Sequence, residues 1–174
     1  PYGLGLVISS SAFNQLLSSM AECGMLNQEL EEFNGLPLSP AVLSLLVPEF
    51  ATLPPDADVF IRVDPTAAPF ITDEPSGPEG SMAEMRLANL QIDFIQRVPY
   101  NGGILENRLL GLAVEAPLGL TMAYDEAAGT LAPTITPPTP ATTSTRVYEN
   151  KIGANEAATA AVFSSLFPGM VGSL

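Results

Sequence analysis

Two long stretches of alternating apolar and polar residues constrain the fold of this chain more than any other feature. The first covers residues 82–98, the second covers residues 104–124, and an Asn-Gly-Gly sequence at residues 101–103 separates them. Alternation over such a length is typical of β-strands with one apolar face, and the Asn-Gly pair favours a tight hairpin. Long strands twist strongly, so we expect a curled antiparallel sheet. Pro117 interrupts the second stretch, which indicates a bulge or an edge position.

Shorter patterns on both sides of this hairpin predict the remaining elements. Apolar residues at helical spacing predict amphipathic helices over residues 11–23 and 154–167, and Pro168 is expected to kink or end the second one. We expect a short helix over residues 41–47, and strands or extended segments over residues 2–8, 27–34, 58–64, 68–72, 130–136 and 143–150. Antiparallel strands between two helices predict an α+β fold, with one domain over residues 1–174.

The charge balance restricts the partners of the chain. Six basic and 19 acidic residues give a formal net charge of −13. Six scattered basic side chains cannot offset a phosphate backbone, so a nucleic-acid partner is excluded, and an anionic membrane surface is disfavoured for the same reason. The longest stretches without a charged residue are broken by Pro and Thr, so the sequence predicts no transmembrane helix.

The residue types that carry most enzyme chemistry are scarce. The chain has no His, which removes the commonest general base and metal ligand and makes a Ser-His-Asp triad impossible within it. Cys23 is the single cysteine, and we interpret it as a small buried hydrophobic residue rather than a nucleophile. Carboxylates cluster at residues 29–32 and 73–79 without the spacing of a calcium loop, so we interpret them as solvated surface. We expect no catalytic residue, metal or cofactor.

The apolar stripes of the two long helices leave two interpretations open. In the first, the stripes pack on the sheet and close the core. In the second, they pack loosely and leave a groove for acyl chains. Both interpretations predict the same periodicity, so the pattern alone does not separate them.

Several short motifs resemble the bactericidal/permeability-increasing protein family. Residues 6–15, followed by residues 22–26, are similar to the helix that opens the C-terminal half of that family. Residues 47–70 resemble a proline-containing segment of the family. Residues 153–174 resemble its closing helix, including the aromatic-proline step at Phe167 and Pro168. The order and spacing of these motifs agree with the family along almost the whole chain.

The resemblance implies the fold of the tubular lipid-binding superfamily, in which a twisted antiparallel sheet wraps around a helix and lipid tails lie between them. It covers one half of a family that generally has two, so the N-terminal half of its own protein is an expected partner. The family's last strand has no counterpart after the closing helix, and we expect residues 1–174 alone to expose apolar surface and associate.

The function that this implies is non-enzymatic binding, carriage or transfer of a lipid or another hydrophobic small molecule. Lipid tails are expected between the helices and the inner strand face, against Phe13, Leu17, Met20, Val59, Ile61, Val63, Leu90, Ile92, Phe94, Leu110, Leu112, Val114, Leu120, Met122, Phe163 and Leu166. Ala113 is predicted on the opposite strand face. The alternative is a structural or interaction module of the same fold, with a core filled by its own side chains.

The expected location follows from the same residues. The sequence has no N-glycosylation sequon, no pair of cysteines for a disulfide and few basic residues. These features favour an extracytoplasmic protein of the bacterial periplasm or outer membrane, such as a lipoprotein, over a eukaryotic secreted protein. Contact with a membrane is a further expectation.

Overall fold

The computed structural model describes residues 9–33, 35–72, 80–125 and 129–172. Over these ranges the chain forms antiparallel strands and a few helices, which confirms the α+β class. The helices are α1 (Ser10–Glu22), α2 (Pro40–Leu43), a 3₁₀ helix (Pro48–Thr52) and α3 (Glu156–Gly172). The strands are β1 (Gln28–Leu30), β2 (Glu32–Phe33), β3 (Leu36–Pro37), β4 (Asp58–Pro65), β5 (Phe70–Ile71), β6 (Ala83–Tyr100), β7 (Gly103–Asp125), β8 (Thr130–Thr136) and β9 (Ser144–Asn150). The strand predicted over residues 2–8, and almost all of the loop predicted over residues 73–80, lie outside the described residues.

The β6–β7 hairpin forms the centre of the sheet, as the alternation predicts. Its strands pair from Ala83 opposite Leu120 to Tyr100 opposite Gly103. The two residues between them have positive φ angles, 48° at Asn101 and 80° at Gly102. Both central residues of a type I′ turn need a positive φ angle, and Asn-Gly is the pair that adopts it most readily. The predicted hairpin is therefore confirmed.

Short strands flank this hairpin on both sides. The strand order is β1-β4-β6-β7-β8, with β5 also paired to β6 and β9 also paired to β7. Along one side of β7, β9 pairs with residues 110–115 and β8 with residues 119–125. Pro117 lies in the gap between these two partners. A proline has no N–H to donate there, so the predicted local edge position is confirmed.

Register shifts curl the sheet into a half-barrel. The β6–β7 pairing shifts between Leu87 and Leu90 and again between Phe94 and Ile95. Such bulges increase the right-handed twist of the strands that contain them. Strands of 18 and 23 residues are far longer than the usual five or six, so twist accumulates along them and bends the apolar face inward.

The core lies on this inner face, where the predicted strand phase is confirmed for β4, β6 and residues 110–114 of β7, whereas Leu120 and Met122 lie outside the core. Buried side chains of β4, β6 and β7 alternate with outward-facing ones, and helix α3, helix α2 and the 3₁₀ helix cover them. The Phe94 ring lies at the centre, 5.3 Å from the Phe50 ring and 5.7 Å from the Phe163 ring. The inner-face residues in this core include Val59, Ile61, Ile92, Phe94, Leu110, Leu112 and Val114.

Asparagine side chains fix the start of α3. The Asn150 amide donates to the Ala154 carbonyl and accepts from the Ala154 N–H, each at 2.9 Å. The side-chain oxygen Oδ1 of Asn155 accepts from the Ala158 N–H at 3.1 Å, which satisfies one free donor of the first helical turn. The helix then continues through Pro168, so this proline does not end it.

Other predictions are corrected by the structure. Helix α1 has no buried residue and does not join the core, so only α3 of the two long helices covers it as predicted. Cys23 is exposed rather than buried. Ala113 does face away from the core, but it is buried as well. Among the described helices, none has both the length and the hydropathy to span a membrane.

Candidate functional site

An apolar cleft lies where α2 and α3 approach the sheet. The short helix α2 forms because Ser39 accepts from the Val42 N–H at 3.3 Å and Pro40 occupies the first helical position. This helix forms one wall, the inner face of the sheet forms the floor, and the C-terminal half of α3 forms the other wall. The residues that line the cleft are Leu30, Leu38, Val42, Leu43, Leu46, Ile61, Val63, Ile92, Phe94, Phe163, Leu166 and Met170. Every one of these side chains is apolar.

The cleft is closed in this structure. The space inside it is about 40 Å³, and one water in the liquid takes roughly 30 Å³. Pockets that hold drug-sized ligands enclose about 300–1,000 Å³. Leu166, which is 39% exposed, and the half-buried Met170 form the rim on the α3 side. A lipid tail therefore requires α2 and α3 to separate.

The predicted site residues fall into three groups. Those that line the cleft are Ile61, Val63, Ile92, Phe94, Phe163 and Leu166. Those that pack in or against the core without lining the cleft are Val59, Leu90, Leu110, Leu112 and Val114. The residues that lie outside both the cleft and the core are half-buried: Phe13, Leu17, Met20, Leu120 and Met122. The structure thus brings together the middle of the sheet and α3.

Sequence reasoning missed the wall that α2 and β1 supply. Leu30, Val42, Leu43 and Leu46 belong to segments for which it predicted helix or extended structure but no site residue, and Leu38 lies between these segments. Met170 lies beyond Pro168, where the helix was expected to end or kink. The Ser39-Pro40 start and the apolar run after it were the available signal, but only tertiary packing shows which side chains reach the cleft.

Helix α1 docks at a different part of the sheet, through a polar residue. The Asn14 amide donates to the Ile71 carbonyl at 3.0 Å and accepts from the Ile71 N–H at 2.6 Å. Asn14 therefore pairs with the free edge of β5 as another strand would. Because the Phe13, Leu17 and Met20 stripe is only half-buried there, the helix does not form a wall of the cleft.

A polar cluster on the outer face of the sheet supports the floor of the cleft. The buried Asp93 carboxylate, between the inward-facing Ile92 and Phe94, accepts a hydrogen bond from the Tyr148 hydroxyl and pairs with Arg108 at 2.9 Å. The Tyr148 ring lies over Gly111, where a Cβ atom would be only 2.6 Å from the ring. Glycine at this position lets the ring pack against the backbone.

Burial and the Asp93 carboxylate raise the pKa of the Tyr148 phenol well above its usual value of 10.0. A group with a raised pKa in the folded state stabilises the fold fully below its unfolded-state pKa and loses that contribution as the pH rises through the folded-state pKa. The free energy of unfolding should therefore fall as the pH rises above about 10. In Tyr148→Phe this fall should be smaller, and the variant should be less stable by about 1–3 kcal/mol at neutral pH because Asp93 loses a donor. Urea unfolding at neutral pH and at several alkaline pH values measures both effects. Equal slopes for the two proteins would contradict the first, and equal stability at neutral pH would contradict the second.

Among the described residues, no group of ligating side chains could hold a metal ion. The exposed carboxylates Glu29 and Glu31 are engaged by cations instead: Arg62 contacts Glu29 at 2.8 Å and Arg97 contacts Glu31 at 2.7 Å. These guanidinium groups also cover the ring of Phe60, and Arg97 lies 4.0 Å from its centre. The solvated interpretation of this acidic cluster is confirmed, and it has a structural role on the outer face.

The curled antiparallel sheet with few helices defines a class of fold, an α+β half-barrel. A solved structure with this fold is that of a lipopolysaccharide binding protein, with a TM-score of 0.55 and 14% sequence identity. The match covers 85% of this chain and 32% of that one, so the chain spans about a third of that protein's length. No protein-family model matches the sequence. No curated protein matches it either. The resemblance drawn from short motifs is thus supported at the level of the fold.

Proposed function

We propose that this chain binds a hydrophobic ligand, such as a lipid tail, in the cleft between α2 and α3, without chemical conversion. The observation that carries the proposal is the wholly apolar wall of this cleft in a fold shared with a lipopolysaccharide binding protein. Each methylene group moved from water into the cleft contributes about 0.8 kcal/mol. The transfer free energy of a long acyl chain therefore opposes the cost of separating α2 from α3 and of ordering the chain.

The rim of the cleft on the α3 side lies toward the C-terminal end of that helix. Its first turn is held by Asn150 and Asn155, and its middle by the Ser164 hydroxyl, 3.0 Å from the Thr145 hydroxyl. Beyond these anchors, Pro168 lacks the N–H that would bond to the carbonyl four residues earlier. The helix still packs on the core beyond Pro168, through Val171, so opening the rim requires the Leu166 and Met170 side chains to move.

The closed cleft favours a second function, a structural or interaction module whose core is filled by its own side chains. A space of about 40 Å³ holds no acyl chain. Under this alternative, α2 and α3 stay together whatever hydrophobic molecule is offered. The two functions make opposite predictions for a binding experiment.

Matched tryptophan substitutions test the site with a fluorescent long-chain fatty acid. Val42 lines the cleft, whereas Leu45, in the turn after α2, is 84% exposed and lies outside the lining. The larger indole in Val42→Trp fills the space that the tail needs, so the Kd should rise at least about tenfold, equivalent to about 1.4 kcal/mol. Leu45→Trp should bind like the wild type.

A third variant should bind the fatty acid more tightly than the wild type. Leu166→Ala removes a rim side chain that the tail must displace, and the Kd should fall several-fold. Thermal unfolding followed by circular dichroism confirms that each variant is folded. An absence of saturable binding to the wild type would favour the self-filled module, and equal Kd values for all variants would place the ligand elsewhere.

A further inference from the structure

The closed end of the β6–β7 hairpin projects beyond the rest of the sheet. On one side, β4 pairs with β6 only as far as Arg97, so residues 98–100 pair with no described strand there. On the other side, the pairing of β9 with β7 starts at Leu110, so among the described strands the first residues of β7 pair with β6 alone. Three residues past Arg97 give a two-stranded ribbon of roughly 10 Å, at about 3.3 Å per residue.

This ribbon is apolar on both faces and carries no charge. None of residues 98–105 has an ionisable acidic or basic group other than the tyrosine phenol. Tyr100, Ile104 and Leu105 are 63%, 70% and 53% exposed. The cross-strand pairs place Leu105 on the same face as Val98 and Ile104 on the other face with Pro99. A ribbon that docks on a protein surface needs only one apolar face.

The area of the ribbon is too small for a stable protein interface. A stable interface buries about 800 Å² on each partner. Even at the roughly 150–250 Å² that a large aromatic side chain covers, three partly exposed side chains present well under that area. A narrow, projecting ribbon with two apolar faces is instead suited to an apolar medium that contacts both faces at once.

We propose that residues 98–105 insert into the interface of a zwitterionic lipid bilayer. Tyrosine favours this depth because its ring is apolar and its hydroxyl is polar. The outer backbone groups of the ribbon pair with none of the described strands, so they need the water of the headgroup region and cannot enter the hydrocarbon core. The ribbon length matches the ~5–10 Å penetration of interfacial segments. This proposal does not require that the cleft binds a ligand.

Charge selects the type of bilayer. The net charge of the chain is −13, and five of its six basic side chains are engaged in ion pairs with its own carboxylates. An anionic surface would repel this chain, whereas a phosphatidylcholine surface would not. Insertion should therefore weaken when an anionic lipid is added to the vesicles, and the loss should diminish at high salt.

The absence of tryptophan allows a site-specific test. Tyr100→Trp places a single indole in the ribbon, and Tyr124→Trp places one at an exposed position at the opposite end of β7. With phosphatidylcholine vesicles, the emission of the Tyr100→Trp protein should shift to the blue. Lipids brominated near the glycerol end of the acyl chain should quench it more than lipids brominated near the methyl end. The emission of Tyr124→Trp should not change.

A double variant tests whether the apolar side chains drive insertion. Adding Ile104→Ser and Leu105→Ser to Tyr100→Trp should lower the vesicle partition coefficient at least about tenfold. Both residues are exposed, so the fold should persist. The proposal is overturned if Tyr100→Trp shows no shift at millimolar lipid, or if both tryptophan proteins respond equally. A blue shift that depends on protein concentration without vesicles would also overturn it, because a second copy would then be the occupant.

Discussion

Replacing Phe94 with alanine is expected to lower the free energy of unfolding by about 3–5 kcal/mol. The ring is fully buried between the rings of Phe50 and Phe163, so truncation removes two aromatic contacts and leaves a cavity at the centre of the core. Since the total stability of a domain is about 5–15 kcal/mol, this loss is a large share of it. The strands β4, β6 and β7 meet α3 at this residue, which explains the size of the effect.

Urea unfolding of the wild type and the variant measures this difference. Phe70→Ala is the matched control, because Phe70 lies in β5 outside the core and is partly exposed. The control should change the free energy of unfolding by no more than about 1 kcal/mol. A loss below about 1 kcal/mol in Phe94→Ala would mean that the packing of the Phe50, Phe94 and Phe163 rings does not hold α3 on the sheet.

The substitution Ile92→Asp is expected to lower the free energy of unfolding strongly, by an amount that depends on pH. Ile92 is buried in the core and also lines the cleft, so an unpaired carboxylate there costs several kcal/mol and should leave most of the protein unfolded at neutral pH. Burial raises the pKa of such a carboxyl group above its unfolded value. The penalty should therefore shrink as the pH falls and the group is protonated.

Circular dichroism between neutral pH and about pH 4 follows this recovery, relative to the unfolded pKa of about 3.9 for Asp. Ala113, on the opposite strand face, does not provide a control because it is buried too. Thr134→Asp is suitable, since Thr134 is an exposed position of the edge strand β8, and its stability should stay within about 0.5 kcal/mol of the wild type. A cooperative, stable Ile92→Asp protein at neutral pH would contradict the assigned strand phase.

The elements that the sequence predicts best are those with strong local signals. The alternation of β6 and β7, the Asn101-Gly102 turn and the position of Pro117 each depend on rules that act over a few residues. The inner phase of Ile61, Ile92 and Leu112 follows from the same alternation, because a one-residue slip would turn every side chain to the other face.

The parts that the sequence does not predict depend on which elements meet. Helices α1 and α3 both have an apolar stripe, yet only α3 covers the core, because Asn14 ties α1 to the edge of β5. No periodicity distinguishes an asparagine that faces solvent from one that pairs with a strand edge. The α2 wall of the cleft has the same origin: a short helix is predicted over residues 41–47, but its pattern does not show that Val42 and Leu46 meet the sheet and α3.

The motif resemblance and the fold comparison agree on the architecture, but the motifs also predicted properties that the fold comparison does not address. The motifs predicted a half of the bactericidal/permeability-increasing type, and the shared fold with a lipopolysaccharide binding protein supports that architecture. A bacterial origin, a periplasmic location and an N-terminal partner half stay predictions. The ligand likewise belongs to the proposal, because the cleft is closed in this structure.

Native mass spectrometry of the purified protein is the most direct measurement of lipid binding. We expect a second mass species, heavier by the mass of one lipid, after incubation with phosphatidylcholine vesicles or directly after purification. Organic extraction should release that lipid, and the heavier species should be depleted in Val42→Trp but retained in Leu45→Trp. A single unliganded mass under all these conditions, with the protein folded, would contradict lipid binding and establish the self-filled module instead.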